Sequence, residues 1–216
     1  MAHAMYPKLL TAILALTGCG GSGGGGGGSD GGGGVDPRLA RLDLYEAQKL
    51  RVLGDPGAGV MGMAPSETIP DTGSAMFSGS ASIRVENPGA ELVLFGDSTV
   101  TIGFDDATVS GTMENFFGTT SSGDVVDFSG TVTVDSGTLD PVLTLDYAGA
   151  LSASGEDLVI AGVMQGAFLG DPVGAILGDP VGAISAADLE ADVIYNGTPV
   201  GGTIIVIGET TGVTSP

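Results

Sequence analysis

The sequence predicts an all-β fold: an eight-stranded antiparallel up-and-down soluble β-barrel, preceded by a short N-terminal helix. From Ala75 almost to the C-terminus, apolar and polar residues alternate with a period of two, which is typical of strands with one buried face. Short turn sequences such as Asn87-Pro88-Gly89 and Asn196-Gly197 separate about eight of these segments. Glycine also recurs inside the segments, where a strand needs a special reason for it.

The alternation is clearest in VVDFSGTVTVD, residues 125–135. Its apolar phase includes Phe128, Val132 and Val134, and its other phase holds only Asp, Ser and Thr after Val125. The remaining strand segments are AMFSGSASIRV (75–85), STVTIGF (98–104), ATVSGTMEN (107–115), VLTLDYAGALSAS (142–154), DLVIAGVMQGAF (157–168), AISAADLEADV (183–193) and GGTIIVIGE (201–209).

Six glycines fall in the apolar phase of these segments: Gly79, Gly111, Gly130, Gly149, Gly162 and Gly166. A small closed barrel explains them, because strong coiling brings opposite walls close and glycine permits both the bend and the fit. The other phase carries Asp, Ser and Thr, whereas a membrane-spanning barrel turns an apolar band outward. We therefore expect a soluble barrel with a filled interior.

The N-terminal segment, residues 1–18, has the features of an export signal: Lys8 precedes a short apolar run that is too brief to span a bilayer. The run ends in Leu16-Thr17-Gly18-Cys19, which resembles the lipobox of bacterial lipoproteins. The resemblance implies cleavage before Cys19, acylation of its sulfur and amine, and a lipid anchor. The alternative is a plain secretory signal with an incidental cysteine.

Between the signal and the barrel, the sequence predicts a flexible glycine-rich tether at 19–34 and a helix with linker at 35–64, so that the barrel domain comprises 65–216. Asp36 is a suitable N-cap, Pro37 takes the first helical position and Gly54 closes the helix. The apolar residues of the helix recur at roughly helical spacing, namely Leu39, Leu42, Ala47 and Leu50. We expect the helix either to pack on the acidic body or to touch a membrane face.

Charge and composition exclude several functions. The formal charge is −20, with 26 acidic and only 6 basic residues, so the protein should repel nucleic acid and anionic lipid headgroups. The single cysteine, Cys19, cannot form an intramolecular disulfide, and the single histidine, His3, lies in the leading segment. Neither zinc binding by a Cys/His cluster nor nucleophilic catalysis is expected, so we predict a protein that is not an enzyme.

Several segments resemble the barrel domain of transferrin-binding protein B, and most of all the single-barrel lipoproteins of this type in alphaproteobacteria. They are the lipobox, the tether, SGSASI, TVSGTMENF and VMQGAFLGDPVGAILG. In the last segment, Gly166-Ala167-Phe168 resembles the Gly-x-Phe end of a strand in that family, and Asp171-Pro172-Val173-Gly174 resembles the tight turn that follows it. The resemblance implies surface display through an outer-membrane translocator and capture of an iron-carrying protein or haem source. A protein ligand or a TonB-dependent receptor would be the partner. The chain has one barrel and no handle domain, unlike the lobe that grips transferrin.

The chain departs from that family at GDPVGAI, which occurs at both 170–176 and 178–184. This repeat is either a tandem duplication that lengthens one hairpin or a protruding recognition loop at the barrel rim. In the second case, the recognition residues would be Asp171, Pro172, Asp179 and Pro180.

Two groups of carboxylates are candidate calcium ligands, namely Asp105-Asp106 and the alternating Asp188, Glu190 and Asp192. The first pair is typical of a turn, and the second set should lie on one strand face, where its oxygens spread along a line. We therefore expect solvated faces and no metal site. Carboxylate pairs also suit a glycosidase, but aromatic platforms for sugars are scarce.

The expected function is therefore that of a non-enzymatic binding module, lipid-anchored to the outer membrane and facing the cell surface or, alternatively, the periplasm. No resident cofactor is expected, although haem or a metal carrier could be the ligand. The rival is a structural acidic surface or matrix lipoprotein without a specific ligand. A hydrolase, the third alternative, would need convergent carboxylates in a cleft.

Overall fold

The computed structural model describes residues 36–66, 69–86, 92–120, 123–139, 142–170 and 182–214. The described chain begins with helix α1, Pro37–Val52, whose first turn is capped by Asp36: its Oδ1 accepts a hydrogen bond from the Arg38 amide at 2.9 Å. Pro37 opens the helix, where its missing N–H costs nothing. Within the described residues, we find no helix with the length and apolar character needed to cross a bilayer.

Eleven strands follow α1 within the described residues. A small hairpin comes first, formed by β1 (Gly54–Asp55) and β2 (Val60–Met61). The others are β3 (Ser74–Glu86), β4 (Leu92–Gly103), β5 (Thr108–Thr119), β6 (Val125–Asp127), β7 (Ser129–Ser136), β8 (Leu143–Ala153), β9 (Glu156–Gly170), β10 (Gly182–Tyr195) and β11 (Thr198–Thr214).

The long strands form a closed antiparallel barrel. Each pairs with its neighbour in the chain, with β6 and β7 together taking one place in the wall, and the pairing of β11 with β3 closes the ring. This is the predicted eight-stranded up-and-down barrel, preceded within the described residues by one short helix, so the fold prediction is confirmed. Each predicted alternating segment corresponds to a strand of the barrel wall.

The barrel interior is filled by the apolar phase of the strands. Among its fully buried side chains are Phe77, Phe116, Leu145, Ile160 and Met164. Aromatic rings meet across this core, with the centroid of Phe168 lying 5.9 Å from that of Phe104 and 6.2 Å from that of Phe77. The driving force for closure is the burial of this continuous apolar surface.

The predicted reason for the inward glycines is wrong in one respect. The prediction is that they permit close approach of opposite walls, but at Gly149 the crowding comes from the adjacent strand, and at Gly79 it comes from adjacent β11 and from Gln48 of α1. A Cβ on Gly149 of β8 would meet backbone atoms of Thr131 and Val132 on β7. At Gly149 it is therefore the neighbouring strand, rather than the opposite wall, that leaves no room for a side chain.

A second apolar cluster lies on the outside of the barrel, under the end of α1. Val52 packs there on outward side chains of three strands, and Leu53 and Met63 cover its edge. The strand residues of the cluster are Leu169, Ala183, Ala187, Ile205 and Ile207. The continuous apolar run of residues 204–207 is the sequence signal for this two-sided burial, because a strand with one wet face would alternate.

Helix α1 packs on the barrel, but not through the apolar residues expected to do so. Its buried residues are Gln48 and Val52. Of the residues expected to pack, Leu39 and Leu50 are 55% and 40% exposed, Ala47 is exposed and Leu42 is half-buried. The contact is polar and aromatic on one side of the helix because the wall beneath it offers carboxylates and backbone carbonyls.

Candidate functional site

The barrel interior contains two tyrosine–carboxylate pairs, one of which bridges three strands. Tyr147 on β8 points inward and donates a hydrogen bond to Asp188 Oδ2 on β10 at 2.9 Å. Burial raises the pKa of Tyr147 above its ordinary value, and the bond to Asp188 adds to this effect. Gly162 on β9 lies between them, and a Cβ there would come within 2.7 Å of the phenol oxygen.

The second pair lies at the start of β9 and the end of β10. Tyr195 donates to Glu156, and both residues are buried. Each pair supplies a hydrogen-bond donor to an inward carboxylate, as buried polar groups require. With these pairs in place among packed apolar side chains, the described interior of the barrel is a packed core.

The acidic set on β10 does not share one face, which corrects the sequence prediction. A β-bulge between Asp188 and Ala191 shifts the register, so Asp188 turns inward to Tyr147 while Glu190 and Asp192 are exposed. The amide of Glu190 donates to Asp188 Oδ1 at 3.0 Å and holds the bulge. The bulge therefore separates the carboxylates that the sequence placed in a row.

Asp105 and Asp106 serve the turn between β4 and β5. Asp105 Oδ2 accepts from the Gly73 amide at 2.9 Å, and Asp106 Oδ1 accepts from the Thr108 hydroxyl at 2.7 Å. That hydroxyl bond lowers the pKa of Asp106 below its ordinary value. In the part of the chain that the structure describes, no three His, Cys, Asp or Glu side chains converge as a metal site would need.

The barrel wall has a weak seam between β5 and β7. These strands share only three residue pairs, from Gly111–Val134 to Met113–Val132. Beyond them Asn115 adopts a left-handed conformation, with φ of 55°, and β5 continues by pairing with β6 instead. Asn tolerates this conformation better than most residues, which explains its place at the irregularity.

Helix α1 lies against this seam and binds backbone carbonyls on both sides of it. Arg38 Nη1 donates to the Val125 carbonyl of β6 at 2.8 Å, and Arg41 Nη2 donates to the Asn115 carbonyl of β5 at 2.6 Å. The arginines thereby supply donors to carbonyls at the disrupted part of the wall.

Arg41 is at the centre of a network that joins helix and barrel. Its Nη2 lies 2.9 Å from the Tyr45 hydroxyl and 3.3 Å from Asp97 Oδ2, and its guanidinium carbon lies 4.9 Å from the Phe117 ring centroid. Asp97 also accepts from Tyr45 at 2.6 Å and from the Asn115 side chain at 2.9 Å. Burial, followed by the bond to Asp97, raises the pKa of Tyr45 to about 12.

A cleft of about 850 Å³ opens beside this network, between the start of α1 and the seam. Its walls carry both signs of charge, and buried aromatic side chains form its base. The lining residues are Asp36, Pro37, Arg38, Arg41, Asp97, Asn115, Phe116, Asp127 and Phe128. We call this the seam cleft.

Two groups in the seam cleft have hydrogen-bonding capacity that the described residues leave unused. Arg41 makes its bonds through Nη2, so its Nε and Nη1 donate to no described residue. The carboxylate of Asp127 likewise accepts no hydrogen bond within the described ranges. Arg38 is engaged differently: its bonds to Asp36 raise the pKa of the guanidinium and lower that of the carboxyl.

The structure does not describe the site residues predicted from sequence. Cys19 and the proposed recognition residues Asp171, Pro172, Asp179 and Pro180 fall outside the described residues. The seam cleft was missed because its side chains come from four separate segments of the chain. Asn115 gave no local signal, because it ends the predicted segment 107–115, where an Asn is ordinary, and only the structure continues β5 to Thr119.

Comparisons with known proteins return nothing for this chain: no family model matches it, nor does any curated protein or solved structure. The resemblance to transferrin-binding protein B therefore rests on the quoted segments alone.

Proposed function

We propose that this chain is a lipid-anchored, non-enzymatic binding module of the outer membrane that captures a protein ligand, such as an iron or haem carrier, through the outside of its barrel. The lipobox-like residues 16–19 support the anchor, and the filled interior directs binding to the exterior. The observation that carries the proposal is the seam cleft, with donors of Arg41 and the carboxylate of Asp127 unused.

An extended polypeptide matches the seam cleft because its backbone offers carbonyl acceptors to Arg41 and amide donors to Asp127. Lysine or arginine side chains of the same ligand would also be attracted to a body with 26 acidic and 6 basic residues. The cleft has no pair of carboxylates presented to a common reacting atom, since Asp97 and Asp36 are already bound by Arg41, Tyr45 and Arg38. The arrangement favours recognition over hydrolysis.

The anchor is tested in cells of a bacterium with an outer membrane by labelling with a radioactive fatty acid. The wild-type chain should incorporate label and sediment with outer membranes, and Cys19→Ser should do neither. Protease added to intact cells distinguishes the two orientations, because only a surface-facing barrel is cleaved. Label retained in Cys19→Ser would contradict the anchor.

Binding through the seam cleft is tested with the full chain as bait, in wild-type form and as Arg41→Gln/Asp127→Asn. The matched control is Arg84→Gln/Asp135→Asn, which makes the same charge changes away from the cleft. A partner retained by the wild type and the control but lost from the cleft variant supports the proposal. Equal retention by all three proteins would refute it, and absence of any partner at low salt would favour the structural surface lipoprotein instead.

A further inference from the structure

The outer surface of β8, β9 and β10 carries an uncovered apolar patch. We call it the β8–β10 face. Register places its residues side by side: Val159 of β9 lies between Ala150 of β8 and Ile194 of β10, and Ala161 lies beside Ala148. Val163 continues the row on β9, and all of these outward side chains are exposed.

The patch differs from the rest of the outer wall. Val159, Val163 and Ile194 are 50%, 47% and 43% exposed, on strands whose inward phase is also largely apolar. The sequence prediction that the outward phase is polar is therefore wrong for these strands. On β5 and β7 the outward residues are mainly Ser and Thr, as predicted. Single exposed apolar residues need no explanation, but contiguous ones across neighbouring strands mark contact surfaces.

The same wall is apolar at its other end, where the structure shows what covers it. There the outward side chains of Ala183, Ala187 and Leu169 are buried beneath Val52 and its neighbours. Helix α1 and the segment after it do not extend over Val159 and Ile194, which remain exposed. The described residues thus cover only part of this apolar wall.

Carboxylates surround the uncovered part. Asp157 precedes Val159 by two positions on β9, and Asp192 precedes Ile194 by two on β10, so each shares the outward face with its apolar neighbour. Glu190, in the bulge of β10, is exposed as well. None of these three carboxylates forms an ion pair with the described residues.

This charge pattern determines the kind of occupant. Two copies meeting through this face would place the carboxylates of one against those of the other, which opposes self-association. An anionic lipid surface is repelled for the same reason. We propose that the β8–β10 face docks a basic amphipathic segment of another protein, with aliphatic side chains on Val159 and Ile194 and Lys or Arg side chains on the surrounding carboxylates. None of its residues lines the seam cleft, so this site is additional to the proposed function.

The test uses the full chain with Cys19→Ser as background, so that no acyl chain interferes, and two synthetic peptides as probes. One consists of repeated LKKLLKL heptads, and the other has Glu in place of every Lys. Fluorescence anisotropy should show binding of the Lys peptide only. Val159→Asp/Ile194→Asp should weaken that binding at least about tenfold, because charge replaces the apolar contact. The control Met61→Asp alters a side chain that is 88% exposed elsewhere and should leave it unchanged.

A charge reversal keeps the test independent of the apolar substitutions. Asp157→Lys/Asp192→Lys should weaken the Lys peptide and allow the Glu peptide to bind. Val159→Ser/Ile194→Ser removes the apolar contact without adding carboxylates that attract Lys, so it should weaken Lys-peptide binding at least as much. Circular dichroism spectra matching the wild type confirm that each variant is folded.

Three outcomes would overturn the proposal. The first is Lys-peptide binding that Val159→Asp/Ile194→Asp leaves unchanged, which assigns the affinity to net charge alone. The second is a dimer of the full chain, seen by sedimentation, that this variant dissociates, which assigns the face to a second copy. The third is binding of the wild-type face to neutral phosphatidylcholine vesicles but not to the Lys peptide, which assigns it to lipid.

Discussion

Arg51 and Glu209 join the N-terminal helix to the last strand of the barrel through two hydrogen bonds. Arg51 Nη2 donates to Glu209 Oε2 at 2.6 Å and Nε donates to Oε1 at 3.0 Å, while Gln48 donates to the same carboxylate at 3.2 Å. The bonds from Arg51 lower the pKa of Glu209 below its ordinary value of 4.5. Ion pairing to the barrel, together with burial of Val52 in the outer apolar cluster, thus positions this end of α1.

Replacing this carboxylate should loosen the helix from the barrel. We expect Glu209→Gln to weaken the docking of α1 on the barrel by about 1 kcal/mol or less, as for a partly exposed ion pair. Hydrogen exchange of the α1 amides should accelerate, with little change in the barrel strands. Glu190→Gln, on an exposed carboxylate without an ion pair to the described residues, is the control and should leave exchange unchanged. Because the pKa of Glu209 is lowered by folding, its contribution is complete above about pH 4.5 and is lost as pH falls further.

Gly79 should be essential for the seating of the helix. A Cβ at this position would lie 2.5 Å from Gln48 Oε1 and 2.6 Å from Gln48 Nε2, and closer still to a carbonyl of β11. We expect Gly79→Ala to lower the free energy of unfolding by about 1–3 kcal/mol, as for overpacking, in urea titration. The control is Gly201→Ala on β11, where a new Cβ meets only the flexible end of Glu86 at 3.1 Å. Equal stability of the two variants would show that helix seating does not depend on Gly79.

The hydrogen bond from Tyr147 to Asp188 should contribute to stability. Tyr147→Phe removes the donor and leaves Asp188 Oδ2 without it, so the free energy of unfolding should fall by about 1–3 kcal/mol in urea titration. Asp192→Asn changes an exposed carboxylate on the same strand and should alter stability by less than about 0.5 kcal/mol. If Tyr147→Phe changed the free energy of unfolding no more than this control, the hydrogen bond between Tyr147 and Asp188 would make no net contribution to stability.

Tyr45 should make the protein sensitive to alkali. Its pKa rises from 10.0 to about 12 on folding, so the unfolded chain releases the phenol proton first. The corresponding stability is complete below about pH 10 and is lost as pH rises toward about 12. Tyr45→Phe should show a smaller alkaline loss in thermal melts. Asp97→Asn keeps the phenol of Tyr45 but removes a group that raises its pKa, so the pH range over which stability is lost should become narrower. If the melting temperature depended on pH identically in the wild type and both variants, Tyr45 would not be the group responsible.

Much of the fold follows from local sequence. The period-two alternation in segments such as 125–135 specifies strands, and short turns between them specify antiparallel neighbours. Asp36 and Pro37 mark the start of the helix for equally local reasons, since capping involves atoms only a few residues apart. The lipobox-like residues 16–19 likewise need no tertiary context to be noticed.

The candidate sites depend on pairing between distant strands, which no local pattern encodes. The bulge after Asp188 turns one carboxylate inward because β10 must stay in register with both β9 and β11. The seam cleft exists because β5 changes partner from β7 to β6, leaving carbonyls for Arg38 and Arg41.

The sequence by itself determined the strands, their order, the helix and the acidic character of this protein. Only the tertiary structure decided which surfaces are covered. Helix α1 turns Arg41, Tyr45 and Gln48 to the barrel and leaves Leu44 exposed, because the wall offers it carbonyls and carboxylates at that place. The β8–β10 face remains uncovered because the helix ends beside another part of the same wall. Which part of the barrel surface is covered depends on the side chains of both helix α1 and the barrel wall, so neither segment of sequence specifies it alone.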